Sequence, residues 1–134
     1  MRLQWLLGLA LALAVAPVAG AQQRIVYDFT FDYASTKVDR QAGETITKAL
    51  PQIKKCADNG VRVIGHADTS RSAEESSQLA TERARSVRAF LMEKGIRDSR
   101  ISWVGHSEAE PAVPTADGVK EPKNNRAEII LVCD

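Results

Sequence analysis

Histidine is scarce in this chain: His66 and His106 are the only two. A zinc site takes roughly three or four protein ligands. The two cysteines lie far from both histidines in sequence, so neither a metal centre nor another cofactor is expected. His66 reads as a strand-end residue with a satisfied hydrogen bond. No Gly-x-Ser-x-Gly run occurs, so no serine sits on the strand-to-helix elbow that exposes a nucleophile. Enzyme activity is not expected. Internal repeats, low-complexity tracts and internal linkers are also missing. Net charge is nearly absent, at +1.

The first residues resemble an export signal. Arg2 supplies a short positive region, Leu6 to Val15 is apolar, and Ala19-Gly20-Ala21 offers a small-residue cleavage site. The apolar stretch falls short of the about 20 residues a membrane span needs. The expected organisation is therefore a signal segment at 1–21 and one domain at 22–134. Arg2 is the single charged residue of the leader, so the domain's formal charge falls to zero. No basic face is implied, and nucleic acid is not an expected partner. Long-range steering toward a polyanion is excluded as well, which leaves local recognition.

Cys56 and Cys133 are the only cysteines. In an exported chain an even count permits one disulfide. The competing reading is two unpaired cysteines near element ends, because sequence does not reveal whether their Cβ atoms meet. The oxidising compartment favours the bridge.

Ile25 to Phe31 alternates and reads as a strand. Asp39 can cap a helix over roughly Arg40–Cys56. Its apolar stripe is Ala42, Ile46, Ala49, Leu50 and Ile53. Pro51 inside the stripe should kink or split that helix. Asp58-Asn59-Gly60 signals a turn, and Val61 to His66 a second strand. Ser72 with Glu75 forms a capping-box pattern, starting a second helix near Ala73. Gly95 suits its end. Arg100 to Val104 and Ala127 to Val132 read as strands, with a long loop from Gly105 to Lys123 between them.

One charge on the second helix is out of place. On a wheel stepped by ~100° per residue, Leu79, Ala80, Arg83, Ala84, Val87, Phe90 and Leu91 share an arc of about 140°. Glu82, Arg85 and Arg88 fall outside it. An arginine aimed at the sheet needs a partner, since an unpaired buried charge is expensive. Asp68, at the end of the preceding strand, is the nearest acid. The pair reads either as a fixed ion pair pinning the helix or as a grip for a zwitterion. In the second case Asp68 takes an ammonium and Arg83 a carboxylate.

These residues resemble the OmpA-like domain, a peptidoglycan-binding module of Gram-negative envelopes. Gly65-His66-Ala67-Asp68 resembles its Gly-His-Thr-Asp, and Leu79 to Val87 its Leu-Ser-x-x-Arg-Ala-x-x-Val. Gly95-Ile96 with Arg100-Ile101 is similar to its Gly-Ile-x-x-x-Arg-Ile hinge. Gly105-His106-Ser107-Glu108 with Pro111 is similar to its acidic turn. Asp117-Gly118-Val119-Lys120-Glu121-Pro122-Lys123-Asn124-Asn125-Arg126-Ala127-Glu128-Ile129 is similar to its closing Asn-Arg-Arg-Val-Glu-Ile strand. The resemblance covers about residues 26–133. It implies an α+β fold, a βαβαββ two-layer sandwich whose mixed sheet carries helices on one face. It also implies a ligand, the diaminopimelate side chain of the peptidoglycan stem peptide, held by Asp68 and Arg83. Ala67, Ser76 and Arg126 are the further positions implied at the ligand.

Several positions depart from the family pattern. Ala67 replaces a usual Thr, and Arg71 stands where Gly is common. Glu75-Ser76 replaces a frequent Tyr-Asn pair. Ala34 sits where Asp or Asn often lines the pocket, and Asn125 replaces the first of two arginines. The two main charges survive while the rim is poorer. The expected function is thus non-catalytic binding of peptidoglycan. The alternative is a domain of the same fold that has lost ligand affinity and docks on another envelope protein. Only Gln22 to Arg24 precede the first strand, too few for a barrel or lipid anchor. The expectation is a periplasmic chain associated with the wall or the outer membrane.

Overall fold

The computed structural model describes residues 22–106 and 111–134. The leader at 1–21, and Ser107 and Glu108 of the acidic turn, lie outside the described residues. Six elements carry the fold: β1 (Gln23–Thr30), α1 (Arg40–Cys56), β2 (Val61–Gly65), α2 (Ala73–Glu93), β3 (Ile101–Gly105) and β4 (Arg126–Cys133). The architecture is the expected βαβαββ α+β fold. No helix among the described residues is long and apolar enough to cross a membrane.

The sheet runs β1-β4-β2-β3. β4 is antiparallel to both neighbours, pairing Thr30 with Arg126 and Gly65 with Ala127. β2 and β3 are parallel, with Val61 opposite Ile101. A parallel pair needs a crossover, and α2 supplies it. Strand alternation sorts the side chains. Val61 and Val63 of β2 join Ala127, Ile129 and Leu131 of β4 in one core with Ile46 and Ile53 of α1 and Val87 and Leu91 of α2. Both helices therefore cover the same sheet face.

Local chemistry sets the boundaries. The Asp39 carboxylate accepts the Ala42 N–H at 2.8 Å, and the Ser72 hydroxyl accepts the Glu75 N–H at 3.2 Å. Gly60 and Gly95 adopt φ of 93° and 95°, a backbone that glycine enters without strain. Pro51 does not split α1, contrary to one of the two outcomes expected for it. The proline is exposed, while Ile46, Ala49 and Ile53 on the other side are buried and hold both halves on the sheet.

α2 lies unusually close to the strands beneath it. A Cβ at Gly65 would collide with the Ala80 carbonyl oxygen, and one at Gly105 with the Thr81 backbone nitrogen. Only glycine admits this approach, which sets the depth of the next turn of α2, where Arg83 projects. The inward face is Ser76, Ala80, Arg83, Ala84, Val87 and Leu91. Leu79 and Phe90, at the margins of the expected arc, are half-buried.

Cys56 and Cys133 form a disulfide, with Cα atoms 5.0 Å apart. It joins the end of α1 to the end of β4. Gln52, one turn earlier on α1, directs its Nε2 at both sulfurs, at 3.2 and 3.5 Å.

Candidate functional site

β2 leaves the sheet through His66, Ala67 and Asp68, all buried. The His66 N–H donates to the Arg126 carbonyl at 2.8 Å, extending the contact with β4 past the strand end. Asp68 is thereby fixed, and Ser76 supports it: its hydroxyl donates to the Asp68 carbonyl at 3.2 Å. Oδ1 of Asp68 accepts the Ser70 N–H at 3.2 Å and the Ser70 hydroxyl at 2.6 Å. Oδ2 accepts the Glu121 N–H at 3.2 Å and Asn125 Nδ2 at 2.9 Å. A carboxylate offers about four lone-pair sites, so each is engaged. Burial pushes the Asp68 carboxyl up. The bonds from the Ser70 and Asn125 side chains and the Ser70 and Glu121 N–H groups outweigh it, holding the pKa below the usual carboxylate range.

Arg83 is 0% exposed. Its Nε donates to the Ser35 carbonyl at 2.9 Å. Nη1 donates to the His66 carbonyl at 2.9 Å and to Asn125 Oδ1 at 2.8 Å. Nη2 donates to the Asp32 carbonyl at 3.3 Å. The guanidinium carbon lies 5.3 Å from the centre of the Phe31 ring. Burial lowers the Arg83 pKa to about 10, with the Asp68 charge working in the opposite direction. The group is still a cation at neutral pH.

No ion pair joins Asp68 to Arg83 among the described residues. Asn125 stands between them, accepting from the cation and donating to the anion. A neutral amide thus satisfies both charges at once. Asn125 is 2% exposed, and in the sequence it reads only as a lost arginine. The signal available was a pair of asparagines directly before an apolar strand, a place where buried amides commonly bond to loops. Asn124 does so too, with Oδ1 taking the Val113 N–H and Nδ2 giving to the Val113 carbonyl, at 2.8 and 2.7 Å.

The turn from Asp32 to Ser35 presents two of the carbonyls that hold Arg83. It is closed by the Ser35 N–H on the Asp32 carbonyl at 3.0 Å. Ala34 enters it at φ 58°, a left-handed backbone that costs an alanine about 1 kcal/mol and favours Asn, Asp or Gly. The opposite wall is pinned by Thr69. Its hydroxyl donates to the Ala116 carbonyl at 2.7 Å and accepts the Val119 N–H at 3.1 Å.

Between these walls lies a groove of about 470 Å³, lined by Thr30 to Tyr33, Asp68, Lys120, Pro122, Lys123 and Asn125. That is a size suited to a small ligand. Asp68 and Asn125 are its expected and unexpected polar residues. Lys120 and Tyr33 come from loops and Lys123 from a single 3-10 turn; the two lysines belong to the run that resembles the family's closing strand, but neither they nor Tyr33 carry a role legible in the sequence.

The other positions implied by resemblance fall elsewhere. Ala67 and Ser76 are buried beside Asp68 and do not line the groove. Arg126 alternates with the core residue Ala127 and so points to the other face of the sheet. Its Nη1 meets Glu128 Oε1 at 2.9 Å and Asp28 Oδ2 at 3.2 Å. His66 joins the same cluster, its Nε2 lying 2.7 Å from Glu128 Oε1. Burial, reinforced by the Arg126 charge, lowers the His66 pKa. Among the described residues no group of three or more His, Cys, Asp or Glu side chains could hold a metal ion.

Residues 30–126 match the model of the OmpA family. The Peptidoglycan-associated lipoprotein of Rhizobium meliloti is 28% identical over 126 residues, which cover 88% of this chain and 69% of that protein. The OmpA-like domain of FopA1 from Francisella tularensis superposes with a TM-score of 0.74 at 18% identity, covering 87% of this chain and 77% of that one. The cell wall anchor of the T6SS from Pseudomonas aeruginosa superposes at 0.65 with 25% identity, covering 83% and 82%. The chain spans less than half the length of the first curated relatives it matches, 13%, 28% and 47% of them.

Proposed function

The chain belongs to the OmpA family, and from that premise we propose that it binds peptidoglycan non-catalytically, seating the diaminopimelate of the stem peptide in the groove over Asp68. The observation that carries this reading is an ionised carboxylate at the wall of a groove that also holds cations. Diaminopimelate ends in an ammonium and a carboxylate on one carbon, so it needs both signs within a short reach. The ammonium goes to Asp68. The Ser70 hydroxyl marks its path: it donates to Asp68 at 2.6 Å and lies 3.4 Å from the Tyr33 hydroxyl, itself in the groove. A hydroxyl rotates away easily, so the incoming ammonium takes over the bond that Ser70 leaves. The name of the Rhizobium meliloti relative, a peptidoglycan-associated lipoprotein, supports the ligand class.

Co-sedimentation with purified sacculi of the diaminopimelate type tests the reading. Wild type should be retained, and Asp68→Asn, which keeps shape and loses charge, should bind about tenfold or more weakly. A folded Asp68→Asn protein retained like wild type would count against the groove.

One observation favours a second reading. Every acceptor site of Asp68 is satisfied internally, as in a site that has become a structural brace. The domain would then dock on an envelope protein. Folded wild-type protein that ignores sacculi is the outcome that selects it.

The function requires export. We read residues 1–21 as a cleaved signal and the envelope, at the wall or outer membrane, as the location. N-terminal sequencing of the exported protein should begin at Gln22. A start at Met1 in a cytosolic fraction would overturn this.

A further inference from the structure

We propose that the end of the molecule opposite the groove carries an anion site, built by Lys54, Arg97 and Arg100, for the phosphate of phospholipid headgroups. Through it the domain rests on an anionic membrane surface. The inference is independent of what the groove binds.

Both helices end on this side of the sheet. Between their ends lies a hollow of about 190 Å³, lined by Lys54 and Ala57 from the end of α1, by Asp58, and by Gly95, Arg97 and Arg100 beyond α2. All three cations are exposed. Arg100 is held in place: Nη1 donates to the Asp58 carbonyl at 3.1 Å, and Nη2 lies 3.5 Å from the Asp58 carboxylate. No hydrogen bond or ion pair engages the side chain of Lys54 or Arg97 among the described residues. The neighbouring carboxylate of Asp98 does not serve Arg97, because it bonds Arg88 at 2.6 Å. Two guanidinium groups line the hollow, and a guanidinium fork matches phosphate oxygens two at a time.

Helix ends account for part of this charge. Lys54 and Lys55 fill the last turn of α1, where a cation offsets a helix end worth roughly half a negative charge. Two helix ends and Asp58 together answer about two positive charges. Lys54, Lys55, Arg97 and Arg100 supply more than that, and the surplus faces solvent around the hollow and its rim. Zero net charge on the domain therefore hides an uneven distribution, with the compensating acids in the other half. Such a dipole turns the cationic end toward an anionic surface at close range. The hollow is tied to the far end of the sheet, since the disulfide joins Cys56 to Cys133, which faces Gln23 across the β1–β4 ladder. β1 runs 8 residues from Gln23 to Thr30 in the groove, so the two sites stand roughly 20 Å apart. A domain lying on lipid by this end holds the groove away from the membrane.

Vesicle co-sedimentation of the exported protein at low salt tests this. The protein should sediment with mixed phosphatidylethanolamine–phosphatidylglycerol vesicles and stay in solution with phosphatidylcholine vesicles. Added salt should release it. Near a charged surface each lysine or arginine contributes about fivefold in affinity, so Lys54→Gln/Arg97→Gln should bind roughly thirtyfold more weakly. Lys37→Gln/Lys48→Gln removes two other exposed lysines and the same net charge, and should bind like wild type. Both variants should melt like wild type, because all four side chains are exposed. Glycerol phosphate, the same phosphate free in solution, should not displace the vesicles at matched ionic strength. Equal losses in the two variants would overturn the site. Failure to bind the mixed vesicles, equal binding to phosphatidylcholine, or saturable binding of glycerol phosphate alone would overturn the membrane assignment.

Discussion

Replacing Arg83 with leucine should cost about 3–5 kcal/mol of folding stability, the scale seen when one member of a buried polar set is removed. Leucine keeps part of the apolar volume, so the loss reports on the bonds. Three carbonyls and the Asn125 oxygen each lose one donor, which the Asp32 carbonyl and the Asn125 oxygen replace only in part through the Ser35 and Asp68 N–H groups. Asp68 loses the positive charge nearest its amide bridge. In a domain of this size the melting point should fall by roughly 10–20 °C. Arg83→Lys should lie between leucine and wild type, because an ammonium retains the charge but cannot reproduce the fork. Arg85→Ala, on the exposed side of α2, should barely move the melting point. Equal shifts at positions 83 and 85 would show that burial of Arg83 is not what makes it matter.

The disulfide carries the second large effect. Its half-cystines are 77 positions apart, and chain-entropy reasoning gives about 4 kcal/mol for closing a loop of that length. The Cys56→Ala/Cys133→Ala protein should lose that much in urea unfolding, and reductant should destabilise wild type equally. Groove binding at room temperature should persist in the double variant, since the bridge sits at the end of β4 away from Asn125. An unfolding midpoint indifferent to reductant, with both thiols shown to be free, would sink the prediction.

Much of this was legible in the sequence, and the reasons are physical. Asp39 and Ser72 announce the helices because a short side-chain acceptor has few other uses beside an apolar stripe. Arg83 stood out because periodicity places it among alanines and valines. The cysteines did not declare their pairing, since sequence spacing carries no Cβ distance. Asn125 was missed for a related reason: an amide's value depends on which groups flank it in space. Lys120 and Tyr33 belong to loops with no period to read. Arg126 was assigned by resemblance to the ligand, yet strand alternation, counted from Ala127, already turns it to the far face.

The path of the chain through the sheet has a mechanical consequence. The groove lies where β1 ends, beside Thr30 and Phe31, whereas Gln23 sits at the opposite end, beside Cys133. A load applied between Gln23 and a ligand in the groove therefore runs along β1. It strains the rungs from Gln23–Cys133 to Thr30–Arg126 together, in shear, and cannot peel them one by one. The covalent clamp at Cys133 and the amide knot at Asn125 hold both ends of the neighbouring strand against which β1 would have to slide. A tether pulled in that direction resists as a single unit, and one pulled across the strands would unzip.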